Sequence, residues 1–468
     1  MLNECYDAFN GKSTWNKGRD LAYGLLNCMG RHTLTGMLTA SGKQFLDWSS
    51  HYRLFSDCRI NIEKLFDVIC KKGIEQSPDQ EMIVAHMDDT IIKKTGKKIP
   101  GTAWRRDPLG PPFHINFIWG QRFLQISLAI PQKKGLCQSR AIPIDFHHCP
   151  TIKKPQKNAT AAEVQTYKLQ VKEARLSNQG ALRIKALRQK LDQQGFSDRM
   201  LTISVDGSYS NREVLKNLPD RTCLIGRIRK DTKLYLEPNN QPKIGRKRGY
   251  GQRLPTPEEI RQSDQFPWQQ IDAWAAGKKH SFAIKSLDPV LWRSAGQNFK
   301  LRLIIIRPLG YRLSKDSKIL YRQPAYLIST NPELDIQKTL QAYLWRWEIE
   351  VNFREEKSLL GCGQAQVRNV NSIVKIPAFT AAIYGLLHLA AIRSSKSDNS
   401  DFLPRPKWYP KKNTKRPSTS DLVNNNKAQA YSKSIGLSFS SFVNLQKKQR
   451  SLRNSSNSLL DAMLYCRI

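Results

Sequence analysis

The chain has 468 residues, with 76 Lys and Arg against 39 Asp and Glu, a formal charge of +37. Such an excess repels itself in a compact state and calls for a polyanionic partner, nucleic acid first, because basic groups release counterions condensed on phosphates. A membrane role is disfavoured: the longest apolar run, "FTAAIYGLLHLAAI" from Phe379 to Ile392, is fourteen residues long and reads as a buried helix.

In chain order, residues 1–80 predict short helices ("GRDLAYGLLNCMG", "HTLTGML", "HYRLFSDCRINIEKLFDVICKK") that carry Arg and Lys and suit a DNA-binding module. The N-terminus lacks the basic-then-apolar order of a signal peptide. Nine scattered cysteines with no C-x-x-C pair fit reduced core thiols in a cytoplasm. "FHHCP", His147 to Cys149, has no second cluster at zinc spacing and is not expected to be a ligand set. At "MIVAHMDDT" the pattern becomes a short apolar run ending in acids. "FHINFIWG" and "RFLQISLAIP" read as two strands of a hairpin joined at Gly120, and "RAIPIDF" extends that sheet. Residues 161–194 are charged and helical. "RMLTISVDGSYSN" then repeats the earlier theme, a β-branched run ending at Asp206 with Gly207 opening a turn.

The strand "RTCLIGRIRK" brings Arg227, Arg229 and Lys230 just after that second acid. Residues 231 to about 300 break the rhythm with prolines, with Trp268, Trp274 and Trp292, and with the basic loop "GRKRGYGQR". Arg246, Lys247 and Arg248 of that loop are candidates for phosphate contact, since a basic loop with an aromatic has little use in a core. Strand-like "LRLIIIRP" and "AYLIST" lead into a helical stretch. After Arg393 the chain turns Ser-, Asn-, Pro- and Lys-rich, a linker by composition; residues 395–468 hold 14 Lys or Arg and four Asp, about +10.

The stretch "YLWRWEIEVNFREEK", Tyr343 to Lys357, holds no helix breaker and predicts one continuous helix. With Tyr343 at zero, Arg346, Glu350 and Lys357 fall at about −60°, −20° and −40° on an ideal helix, a single narrow polar stripe. Leu340, Leu344, Trp347 and Val351 form a neighbouring stripe expected to pack on a core, while Glu348, Glu355 and Glu356 point elsewhere. Taken alone, Arg346 and Glu350 also read as an i,i+4 ion pair on a solvated face, worth a few tenths of a kcal/mol, about 0.3–0.5.

Acids at the ends of two strands and one acid on a helix form a chemical set. Two-metal phosphoryl transfer needs a few carboxylates to hold two divalent ions, and hard, oxygen-seeking Mg2+ or Mn2+ suits them. The bland alternative is that Asp89 and Asp206 cap turns, where Asp is common.

The spacing Tyr343-x2-Arg346-x3-Glu350-x6-Lys357 resembles the Y-R-E-K signature of DDE transposases of the insertion-sequence four group. "DDT" at Asp88–Thr90 and "SVDGSYSN" around Asp206 resemble that group's two Asp motifs, in the same order. The resemblance implies an α/β fold: a ribonuclease-H-like mixed sheet flanked by helices, with a β-rich insertion between the second Asp and the Glu. The divisions expected are an N-terminal helical segment (1–80), a catalytic core in two parts (81–230 and 326–394), an insertion (231–325) and a basic C-terminal segment (395–468).

The resemblance further implies Asp89, Asp206 and Glu350 as ligands of two Mg2+ or Mn2+ ions. Strand alternation sends Asp88 and Asp89 to opposite faces, and Asp89 is chosen because it directly precedes Thr90; spacing alone does not choose. Tyr343, Arg346 and Lys357 would contact phosphates of the element end, and an insertion tryptophan would stack on a flipped base. The activity implied is cut-and-paste transposition of an insertion sequence, with end DNA and target DNA as partners and a homodimer in the paired-end complex. The alternative reading is a catalytically idle DNA-binding descendant, and a host nuclease on the same fold is a third.

Overall fold

Apolar, β-branched runs buried on both faces build the central strands, and helices close over them. The computed structural model describes residues 1–78, 81–107, 110, 113–114, 116–239, 247–296, 299–312, 316–395, 402–406, 416–451 and 458–465. Four helices open the chain: α1 (Lys12–Asn27), α2 (Leu34–Ala40), α3 (Ser49–Ser56) and α4 (Ile62–Gln76). Strands β1 (Met82–Lys93), β2 (Ala103–Arg106), β3 (Phe117–Pro131) and β4 (Ser139–His148) come next, then α5 (Ala161–Glu173) and α6 (Leu176–Gln193). They are followed by β5 (Met200–Val205), α7 (Arg212–Lys216), β6 (Thr222–Arg227), β7 (Leu234–Tyr235) and α8 (Pro257–Gln262). Next come β8 (Gln269–Ala275), β9 (Lys278–Trp292), β10 (Lys300–Ile306), β11 (Gly310–Tyr311), β12 (Leu320–Tyr321) and β13 (Ala325–Ser329). Helices α9 (Ile336–Leu344), α10 (Trp347–Ser358), α11 (Ser372–Ser395), α12 (Thr419–Ser434), α13 (Phe439–Ser451) and α14 (Ser458–Tyr465) complete the described chain.

Eleven strands form one mixed sheet in the order β2-β3-β1-β5-β6-β13-β10-β9-β7, with β4 on β3 and β8 on β9. β1, β5 and β6 run parallel, and β3 is antiparallel to β1. This is the mixed, helix-flanked sheet expected of a ribonuclease-H-like fold. β13, β10 and β9 continue the sheet outward from β6.

The two faces of β1 have different neighbours. Ile83, Ala85 and Met87 share a core with Ile184, Leu187 and Leu191 of α6. Met82 and Val84 pack with Ala342 and Tyr343 of the α9 side. This second face holds the candidate site.

Three expectations change. β3 runs straight through Gly120, whose hydrogen is needed because a Cβ there would lie 2.5 Å from the Ile92 carbonyl oxygen. Close strand approach, not a turn, explains that glycine. α1–α4 are sealed into the main core, with Leu65, Phe66 and Ile69 packed among Ile126, Leu128 and Phe379. The C-terminal segment does more than link: Leu403, Ala428, Phe442, Val443 and Leu464 make a small core of their own, and Val423 joins the main one. α11 contains a span, Ser372–Ser394, long and apolar enough to cross a membrane, but 78% of its apolar window is buried in the protein.

Candidate active site

β1 carries two acids in succession, and the pleat separates them. Asp88 lies on the α9–α10 face. Its Oδ2 accepts from Arg346 Nη1 at 3.1 Å, and Arg346 Nη2 reaches Glu350 Oε1 at 3.1 Å. Asp89 lies on the opposite face, accepting from the Tyr209 hydroxyl at 2.9 Å and paired with Arg122 at 3.3 Å. The expectation that Asp89 is the inward acid is therefore corrected: Asp88 faces Glu350.

β1 and β5 pair in parallel from Met82 with Met200 to Met87 with Val205, and one more step of that register sets Asp88 opposite Asp206. Asp206 ends β5 and precedes a 3-10 turn, Gly207–Tyr209. That turn returns Tyr209 to Asp89, so the outward acid braces the loop carrying the second inward one.

The electrostatics agree with this convergence. Asp88 is pushed up to about 7, chiefly by burial, with Asp89 and Asp206 adding to the rise and Arg346 opposing it. Glu350 is raised by burial and by Asp206, against Arg346. Arg346 is raised: its burial is outweighed by Tyr343, Asp88, Glu350 and Asp206. His86, two residues before Asp88, is driven down to about 3 by burial and by Arg346, so it stays neutral beside the guanidinium.

The predicted helix is two helices. α9 ends at Leu344 and α10 starts at Trp347, with i→i+3 bonds from Arg346 N to Tyr343 O and from Ile349 N to Arg346 O, each 3.0 Å. A 3-10 step winds more tightly than an α-helix and rotates the residues beyond it. One result is that Trp347, expected to pack on a core, is 62% exposed. The stripe survives the step: Arg346 lies 5.9 Å from the Tyr343 ring centroid, and Lys357 Nζ donates to Thr90 Oγ1 at 2.6 Å. Tyr343, Arg346, Glu350 and Lys357 thus all face the Asp88–Thr90 side of β1.

The other acids of α10 do not face solvent freely. Glu348 pairs with Arg416 at 2.9 Å. Glu355 accepts from the Tyr384 hydroxyl at 2.8 Å and from Thr419 at 2.6 Å. Glu356 is 2% exposed and faces the Gln125 amide, whose nitrogen lies 3.2 Å from each of its oxygens. These residues clamp the back of α10, a role the helical wheel did not reveal.

Arg227, Arg229 and Lys230 line a cleft of about 680 Å³ with Ser210, Trp292 and Gly207, the residue after Asp206. Arg229 is paired there with Asp231 at 2.8 Å. Of Trp268, Trp274 and Trp292, the last borders this cleft. Trp268 lies under Lys285, 4.5 Å from the ring centroid, and the Trp274 backbone is held by the Gln341 side chain at 2.7 and 3.1 Å. Lys247 and Arg248 are exposed near β7, at the opposite edge of the sheet from β2; Arg246 lies outside the described residues.

Comparison with known families decides what this geometry belongs to. A family profile described as DDE superfamily endonuclease matches residues 4–294, more than half of the chain. The chain belongs to that family. No curated protein matches it. The matched span contains both Asp strands of the DDE endonuclease and stops before the Tyr343–Lys357 segment, whose place beside Asp88 rests on the Arg346 contact.

DDE endonucleases act on DNA and generally use divalent metal ions. Among the described residues no three His, Cys, Asp or Glu side chains are gathered closely enough to hold a metal as they stand. The donor chemistry nevertheless fits such an ion. Asp88, Asp206 and Glu350 are hard oxygen donors, Asp206 raises the proton affinity of both Asp88 and Glu350, and a cation, Arg346, already stands between those two.

Proposed function

We propose that this DDE endonuclease is a cut-and-paste transposase of the insertion-sequence four type, cleaving DNA at the ends of its element and joining the freed 3′ ends to target DNA. The observation that carries the reading is the bridge Asp88–Arg346–Glu350 on the face of β1 beside Asp206, with Tyr343 and Lys357 flanking it. A solvated i,i+4 pair would need no third partner from a strand 258 residues away in sequence.

In this reading Asp88, Asp206 and Glu350 hold two Mg2+ or Mn2+ ions. Such ions supply an activated water and charge stabilisation at the leaving oxygen. Arg346 changes partner: its planar fork leaves the carboxylates for a phosphate of the scissile strand. Lys357 reaches the same backbone from Thr90 as a point charge, and Tyr343 holds Arg346 over the groove. Arg227 and Lys230 continue the basic wall past Asp206. Two copies of the chain would act together, one on each element end.

The test is cleavage of a labelled duplex carrying the inverted repeats that flank the gene, with Mg2+ present. Nicking at the repeat boundary, lost in Asp206→Asn and Glu350→Gln while duplex binding persists, is expected. Binding without any cleavage by the wild type would reject the reading.

A further inference from the structure

A second surface lies on the same face of the sheet, beyond the end of α10. The segment Lys93–Arg106, "KKTGKKIPGTAWRR", holds six Lys or Arg and no acid before Asp107. β2 alternates: Ala103 and Arg105 are half-buried, while Trp104 and Arg106 are exposed. Trp104 pairs with Trp119 and Arg106 with Phe117 across the β2–β3 ladder. Ile92 pairs with Gln121, so by strand alternation Trp119 and Phe117 share the β1 face that bears Asp88 and Thr90.

Among the described residues that face is covered only in part. Lys357 closes over Thr90, and the loop after α10 closes over Lys94, whose Nζ donates to the Gly363 and Ala365 carbonyls at 3.1 and 2.9 Å. Past that loop Trp104 is 65% and Phe117 60% exposed. Trp119 is fixed by its indole N–H on the Gly96 carbonyl at 3.2 Å and braces Trp104 edge-on, with ring centroids 5.5 Å apart. Exposed aromatic surface, with Trp104 braced by Trp119, thus coincides here with Arg106 and with exposed Lys97 and Lys98 of the same segment.

The chemistry selects the occupant. A second copy of this face would bring the same positive charges together, so self-association is opposed. A duplex offers phosphates, but its bases are stacked inside the helix and closed to a side-chain ring. Unpaired bases present free π-faces, and each stacked base is worth about 1–3 kcal/mol while neighbouring basic groups track the backbone.

We propose that the β2–β3 face, through Trp104, Phe117 and Arg106, binds an unpaired DNA strand leaving the carboxylate site. This rests on the nuclease reading and adds a single-strand site to it. It would let the chain hold a strand opened or released at the cut.

Full-length protein would be titrated into a labelled oligothymidine and a labelled duplex of equal length, followed by fluorescence anisotropy. Trp104→Ala and Phe117→Ala should each weaken oligothymidine binding by about 5- to 100-fold, with duplex affinity unchanged and Trp104→Phe largely restored. Unchanged oligothymidine binding, or an equal loss on both probes, would overturn the proposal. So would losses confined to anionic phospholipid vesicles, which would make the surface a lipid contact. Wild type binding the duplex but not the oligothymidine refutes this proposal alone; wild type binding neither refutes the nuclease reading as well.

Discussion

Replacing Glu356 by Gln tests how α10 is seated behind the candidate site. Glu356 is 2% exposed, and burial lifts its carboxyl from about 4.5 to about 8 against the amide of Gln125. The folded chain therefore holds this proton more tightly than the unfolded chain. The resulting stabilisation is complete below about pH 4.5 and is lost as pH climbs through 8. The gap between those two values corresponds to about 5 kcal/mol, at about 1.4 kcal/mol per pH unit between them. Glutamine keeps the shape and an oxygen for Gln125 and cannot ionise. The variant should match the wild type near pH 4.5 and exceed it by up to about 5 kcal/mol near pH 8. Urea unfolding followed by tryptophan fluorescence at a series of pH values measures both curves. Parallel curves for the two proteins, or a less stable Gln variant at pH 8, would refute the reasoning.

Arg346→Ala and Lys357→Ala should each lower end cleavage by about tenfold to a hundredfold, the loss of a charge-assisted contact of about 1.5–3 kcal/mol; cleavage assays on purified variants check this. Glu355→Gln should lower thermal stability by about 2 kcal/mol, since it weakens the bonds from Tyr384 and Thr419, whereas Trp347→Ala, at an exposed position, should leave the melting temperature unchanged. Neutralising Arg227 and Lys230 together should reduce the salt dependence of duplex binding by about two phosphate contacts, read as the slope of log affinity against log salt.

Some of the site was legible in the residues. Apolar, β-branched runs leading into Asp88–Asp89 and Asp206 announce strands that carry acids, and β1 and β5 lie side by side, although β1 runs on past its acids to Lys93. The spacing of Arg346 and Glu350 announces a shared helix face, and Arg346 links Glu350 to Asp88. Which of two adjacent acids turns inward was not legible: alternation separates Asp88 from Asp89 but says nothing about which face α10 will cover. The step at Trp345–Arg346 was equally hidden, because no Gly or Pro marks it. Trp345 is drawn to the Cys137 carbonyl by a 2.8 Å bond from a strand-end loop distant in sequence. The pairing of Glu348 with Arg416 spans 68 residues across a segment whose composition reads as linker, and local pattern carries no trace of it. Gly120 looked like a turn because glycine serves turns and close strand contacts alike.

The central claim is that Asp88, Asp206 and Glu350 form the nuclease centre, and the most direct measurement compares Asp88→Asn with Asp89→Asn on one labelled element end in Mg2+. The expected result is that Asp88→Asn abolishes strand cleavage with duplex binding and melting temperature preserved. Asp89→Asn, which loses only its contacts to Tyr209 and Arg122, should still cut while melting earlier. Cleavage retained by Asp88→Asn and lost by Asp89→Asn would contradict the account.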